Sequence, residues 1–336
     1  MSKQNPMYVF LKVLGSQESG YSGDRPDQRG KYILIPQAYN NHFPYLEQTI
    51  LNSFKPIKIF CPSGKTIGAN YVWHNKKYNM RPGEQARAHD ERRLYRNNGL
   101  DQALQLDRNV IFGMVIDGEK YHAFSVRQDK SFYSDTFNAI PPQRGTIKSA
   151  LFTLDQVKNI SPDLYNLIEQ LVRDNDSDEK EVENIEEVLE GGVKLQRAGG
   201  FHEGDPGIFL KNVIKNQAQF AKAIQGIYGD KCAVSGAQLV EGTPVGLEAA
   251  HIHPRSVTGP YSPTNGILLS SELHAAFDRG YWTLTKDRKV EVHSEARAGG
   301  LAQYHGKTIE ARNKYLLPYW EYVKFHRENI FGTFLR

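Results

Sequence analysis

The sequence predicts an α+β chain in three parts: a β-rich region over 1–148, a helical and acidic connector over 149–206, and a C-terminal domain over 207–336. Three observations carry this. Short β-type runs separated by glycine, proline and asparagine fill the first part. Nine acidic residues against one lysine crowd the stretch from Asp174 to Glu190. A strand-like run, a Gly/Pro/Ser loop and a capped helix follow one another between Leu247 and Gly280. At 336 residues the chain is long enough for about two domains, each with its own apolar core.

In chain order, the β-type runs are Tyr8 to Val13, Tyr32 to Pro36, Pro56 to Cys61, Val110 to Ile116 and Tyr121 to Val126. Between the third and fourth lies an arginine-rich segment, Arg81 to Arg96. If it winds as a helix, Arg87, Arg92, Arg93 and Arg96 share much of one face, which suits a phosphate backbone. The alternative is a solvated helix whose Asp90 and Glu91 pair within it. Apolar spacing from Leu151 to Leu171, divided by Pro162, predicts two helices. The acidic run follows, then a glycine-rich stretch over 191–207 that reads as a mobile link. Two readings of the acidic run stand: a solvated linker, or a strap that covers a basic nucleic-acid surface.

Composition excludes several classes. The 39% hydrophobic and 24% charged fractions are those of a globular protein, and no 18-residue apolar run is present, so membrane insertion is not expected. The N-terminus lacks the pattern of a secretion signal. The two cysteines, Cys61 and Cys232, are too far apart for a disulfide framework or a zinc knuckle, and a reducing cytoplasm is the expected compartment. The formal charge is +4; the acidic run contributes −8, so the remainder is +12, a balance that suits a polyanion.

The C-terminal part carries the chemistry. A helix over Gln217 to Tyr228, with Phe220, Ile224 and Ile227 on one stripe and Gly229 at its end, delivers the chain into LEAAHIHP. Asn265 follows in the loop, and Ser270 or Ser271 caps the helix that contains His274 and Asp278. His274 and Asp278, four apart, stack on one helix face and can reach one divalent ion. Phe277 and Trp282 are expected in the small core, and the run from Thr308 to Phe331 is expected to dock a helix on this domain.

The order of strand histidine, loop asparagine and helix histidine resembles the HNH (ββα-metal) endonuclease family, in its members with an Ala-Ala-His-Ile strand and a Leu-His-x-x-Phe-Asp helix, as found in restriction and anti-phage defence nucleases. The resemblance runs from about Gln217 to Val292. It implies metal-dependent hydrolysis of phosphodiester bonds in double-stranded DNA. His251 would be the general base, Asn265 its orienting residue, His274 and Asp278 the metal ligands, and Arg255 a phosphate contact. Mg²⁺ is the expected ion, with Mn²⁺, Ni²⁺ or Zn²⁺ as alternatives. Family members place an aspartate or histidine ligand where this chain has Ala250; Glu248 and His253 are the two candidates to replace it. One such site cuts one strand, so a monomer nicks, and double-strand cleavage calls for a homodimer; other defence-system proteins are candidate partners. The rivals are a DNA-binding or regulatory protein with a disabled HNH fold, or a nuclease acting on RNA.

Overall fold

The computed structural model describes residues 7–16, 18, 19, 21, 22, 25, 26, 31–47, 50, 52–74, 91–143, 148–175, 181–197, 205–207, 210, 213–238 and 246–335. The chain divides into two compact units, Met1–Phe201 and His202–Arg336.

The first unit is built on an eight-stranded sheet. Its strands are β1 (Tyr8–Val13), β4 (Tyr32–Ile35), β5 (Phe54–Phe60), β6 (Thr66–His74), β7 (Glu91–Tyr95), β8 (Ile111–Asp117), β9 (Lys120–Val126) and β10 (Ser149–Thr153). Two-residue strands β2 (Tyr21–Ser22) and β3 (Arg25–Pro26) pair apart from it. The order across the sheet is β10-β1-β8-β9-β5-β6-β7-β4, antiparallel except for the β5/β9 pair. All five β-type runs of the sequence are strands. The sheet is buried on both faces, as alternation along β1 shows. Phe10 joins one cluster with Ile33, Tyr71 and Leu100 of α1 (Asn98–Leu104), while Val9 and Leu11 join the opposite cluster with Val157, Leu164 and Ile168. Lys12 is fully buried on the first of these faces and pairs with Glu18 at 3.1 Å.

Helices α2 (Tyr133–Ala139), α3 (Leu154–Ile160) and α4 (Pro162–Asp174) lie on the second face. Thr153 and Gln156 form a reciprocal capping box for α3, and Ser161 followed by Pro162 starts α4, which is why the two-helix reading succeeded. Residues 149–197, read from sequence as a connector, belong to the first unit. The glycine pair at 191 and 192, read as part of a mobile link, lies inside α5 (Ile185–Arg197).

The acidic run is therefore not simply a solvated linker. Over 181–190 it buries Val182, Ile185, Val188 and Leu189, and α5 packs on β5 and β6. The reason is an unfinished sheet edge. Strand β7 pairs with β6 only from Tyr71 to His74, which leaves the first residues of β6 without a strand on that side among the described residues. The Asn184 side chain fills the gap: its Oδ1 accepts from Gly68 N at 2.7 Å and its Nδ2 donates to Gly68 O at 3.0 Å. Glu183 N donates to Thr66 O, also in the manner of a strand. Glycine is required at 68, because a Cβ there would run into Val188 and meet Val182 at 3.0 Å.

The helical arginine face is corrected too. Glu91–Tyr95 is the strand β7, so Arg92 and Arg93 point to opposite faces. Arg92 is buried over the Trp73 ring, Arg93 lies over Tyr32 and pairs with Glu91 at 2.5 Å, and Arg96 is spent on Asp101 and the carbonyls of Glu18 and Leu106. Cross-strand aromatic and β-branched partners outweighed the helical pattern. Arg87 lies outside the described residues.

The second unit contains α6 (Gln217–Tyr228), the hairpin β11 (Leu247–His251) and β12 (Gly266–Ser270), α7 (Ser271–Asp278), the hairpin β13 (Trp282–Leu284) and β14 (Val290–Val292), and α8 (Trp320–Asn329). Phe220, Ile224 and Ile227 bury the apolar stripe of α6, and Gly266 lets that helix approach, since a Cβ there would collide with Ile224 and Phe220. Phe277 and Trp282 fill the core, and α8 docks on β13 through Val323 and His326, both as expected from sequence. Among the described residues no helix is long and apolar enough to cross a membrane.

Gly68→Ala is expected to lower the stability of the first unit by about 1–3 kcal/mol, read as a lower midpoint in urea unfolding of the full chain, because two packed valines must move. Deletion of 181–190 is expected to unfold this unit.

Candidate functional site

The site forms where β11, the loop after it and α7 meet. The β11/β12 register pairs Glu248 with Leu269, Ala250 with Ile267 and His251 with Gly266. Side chains alternate along β11, and Ala250 is fully buried beneath the hairpin.

His251, the last residue of the strand, stacks on Phe220 of α6 with ring centroids 3.9 Å apart and planes 10° apart; Tyr261 meets it edge-on at 5.6 Å. Burial, with smaller contributions from Arg255 and His274, pushes its pKa down to about 4. The imidazole is thus neutral at physiological pH. Its Nε2 is enclosed and has no hydrogen-bond partner among the described residues.

Asn265 is wholly buried and acts as a clamp. Its Oδ1 accepts from His253 N at 2.8 Å, and its Nδ2 donates to His253 O and to Pro260 O, both at 3.0 Å. Its backbone carbonyl also accepts from Ile252 N at 2.9 Å. The amide side chain thereby ties the end of β11 to the far side of its own loop. Arg255, inside that loop, donates to Gly259 O and lies 4.3 Å over the Tyr261 ring.

On α7, His274 stands between two carboxylates. Its Nδ1 is 2.5 Å from Glu248 Oε2 and its Nε2 is 3.4 Å from Asp278 Oδ2. Ser271 Oγ donates to the other Glu248 oxygen at 2.7 Å. The Ser271 and His274 hydrogen bonds hold the Glu248 carboxyl below its ordinary value, whereas burial raises that of Asp278. The structure separates the two sequence candidates for the strand-side residue. Glu248 lies beside His274, while His253 stacks on Phe325 of α8 at 3.7 Å and its Nε2 meets Val257 O at 2.9 Å.

Imidazole and two carboxylates in contact are the donor kinds that suit a hard or borderline divalent cation. Their arrangement is a chain with His274 in the middle; among the described residues no three His, Cys, Asp or Glu side chains converge as a metal cage. The donors fit such an ion in kind, and holding it requires His274 to give up one of its present partners. Of the expected residues, the structure groups Glu248, His274 and Asp278, and sets His251, Asn265 and Arg255 along one loop.

Two polar positions escaped the sequence reading. Asp205 accepts from Ser262, Thr264 and Tyr322, and His326, buried against Phe277 at 3.8 Å, joins Thr283 Oγ1 at 2.9 Å and Phe277 O at 3.2 Å. Their side-chain partners are distant along the chain, which is why local sequence does not mark them.

Residues 232–285 match the family model described as HNH endonuclease. No curated protein matches the chain. Among solved structures it is similar to a modification dependent TagI restriction endonuclease, at 25% identity and a TM-score of 0.28, over 34% of this chain and 38% of that one. It is also similar to the N-terminal domain of Helicobacter pylori LlaJI.R1, at 14% identity and a TM-score of 0.27, over 43% of this chain and 96% of that one. Superpositions this loose carry no argument about activity; the family match stands on its own residues.

Two outcomes follow from the buried polar groups. Asn265→Asp keeps an acceptor for His253 N but sets a carboxylate against two carbonyl oxygens, so it should destabilise the second unit by about 2–4 kcal/mol, read by urea unfolding. His326, like His251, is held down to about 4, chiefly by burial. The unfolded chain takes up protons near ~6.5 while the folded unit does not, so stability is intact above that pH and falls toward pH 4, for His326 by something on the order of 3 kcal/mol. Unfolding series from pH 7 to 4 should show this loss, and His326→Gln should flatten it.

Proposed function

We propose that the chain is a metal-dependent endonuclease that hydrolyses phosphodiester bonds of double-stranded DNA, one strand at a time, in restriction or anti-phage defence. The observation that carries this reading is the placement of His251 at the end of β11, its ring fixed by the stack on Phe220, within the segment that matches the HNH family.

His251 takes the proton from an attacking water. Since Nε2 is enclosed, Nδ1 is the nitrogen that receives it, and the stack on Phe220 fixes the ring for the transfer. Asn265 keeps the loop that carries Arg255 folded against the strand end. Arg255 uses part of its guanidinium on Gly259 O and presents the rest to a phosphate oxygen. Glu248, His274 and Asp278 would hold the divalent ion, which when bound offsets charge on the phosphate and the leaving oxygen. The products are 5′-phosphate and 3′-hydroxyl ends. Cytoplasmic action as a monomer is part of this reading; paired cuts would come from two copies.

A second reading is a DNA-binding protein that has lost cleavage. It is favoured by Ala250, which is buried where family members carry a ligand.

Supercoiled plasmid incubated with Mg²⁺, Mn²⁺, Ni²⁺ or Zn²⁺ should yield open circles with wild type. His251→Ala and His274→Ala should each reduce nicking by at least about 10²-fold. Retention of the plasmid without cleavage in every ion would favour the second reading.

A further inference from the structure

Asp205 lies outside the segment that matches the HNH family, yet its carboxylate is tied to the turn that carries Asn265. Oδ2 accepts from Ser262 Oγ at 2.7 Å and from Tyr322 Oη of α8 at 2.8 Å; Oδ1 accepts from Thr264 Oγ1 and from Gly207 N at 2.8 Å. Four donors meet the hydrogen-bonding capacity of one carboxylate. Ser262 is 4% exposed and Thr264 is fully buried, and their hydroxyls lie 2.8 Å apart, so losing this acceptor would leave the pair with one another but with at least one hydroxyl hydrogen lacking its acceptor away from water.

The two hydroxyl residues bracket Pro263 and run directly into Asn265, whose own N–H closes the turn on Ser262 O at 2.9 Å. Thr264 O accepts from Tyr319 N at 3.0 Å, so the residue that precedes α8 ties into the same turn. Every bond that Asn265 makes to Ile252, His253 and Pro260 therefore starts from a turn whose side chains hang on Asp205. Gly207 allows this close approach, since a Cβ there would lie 2.6 Å from Ser262 Oγ.

We infer that Asp205 is a positioning residue of the nuclease site, setting the Asn265 turn and through it the loop that follows His251. This rests on the nuclease reading above, but its structural half can be scored without it. In Asp205→Ala the Asn265 turn loosens, kcat for plasmid nicking falls about 10²-fold and KM changes by less than about threefold, because the reacting groups are misplaced while DNA contacts remain. Hydrogen exchange of the full-length chain rises across 252–265, where the His253 N–H is the reporter, and stays at the wild-type level in β13 and β14. Asp205→Asn, which keeps the shape and one acceptor while the hydroxyls can reorient, recovers most of both readouts. Wild-type exchange at 252–265 in Asp205→Ala, or a kcat that falls only in step with the folded fraction, would overturn the inference. A wild-type chain that nicks nothing would defeat the nuclease reading, and the exchange experiment would still decide whether Asp205 sets the turn.

Discussion

The second unit depends on one buried amide. Asn265 holds the N–H and the C=O of the same residue, His253, and adds a bond to Pro260, as a neighbouring strand would do if one could fit inside the loop. A hydroxyl has one hydrogen to donate and an ionised carboxylate none, whereas His253 O and Pro260 O take two, so the position selects an amide. Without it the part-buried N–H and C=O of His253 would lose these partners, and the chain leaving the strand end would be less firmly held.

The same device recurs in the first unit. Asn184 meets both backbone groups of Gly68 where β7 falls short, and α5 then covers the finished edge. In both units a side-chain amide stands in for a missing strand, and in both a glycine permits an approach that a Cβ would block: Gly68 beneath α5 and Gly266 beneath α6. The acidic residues near α5 follow from this arrangement. Glu187, for example, accepts from Gly99 N and Asn184 Nδ2 at 3.1 Å, so its charge serves the packing of its own unit.

Legibility in the sequence tracked how local the cause was. The strands β1, β4, β5, β8 and β9 and the α3/α4 pair were readable because alternation, capping residues and Pro162 act over a few positions. Strand β7 was misread because four arginines at helical spacing imitate a helix face, and only cross-strand partners such as Trp73 and Tyr32 reveal the strand. The spacing of His251, Asn265, His274 and Asp278 was legible, since it reflects a short hairpin and one helix turn. That Glu248 and not His253 lies beside His274 was not, because it depends on which side of β11 faces α7. The role of Asp205 was invisible because the hydroxyls it accepts from lie 57, 59 and 117 positions away.

The ties to Asp205 and to Tyr319 and Tyr322 also bear on how much surrounding chain the hairpin needs. A segment cut at the borders of the family match, 232–285, would leave behind the carboxylate on one flank and the helix on the other. The structural unit is therefore wider than the matched segment. A fragment limited to the motif would keep the histidines and the asparagine without the groups that tie the Asn265 turn, so a fragment that keeps this turn begins before Asp205 and ends after α8.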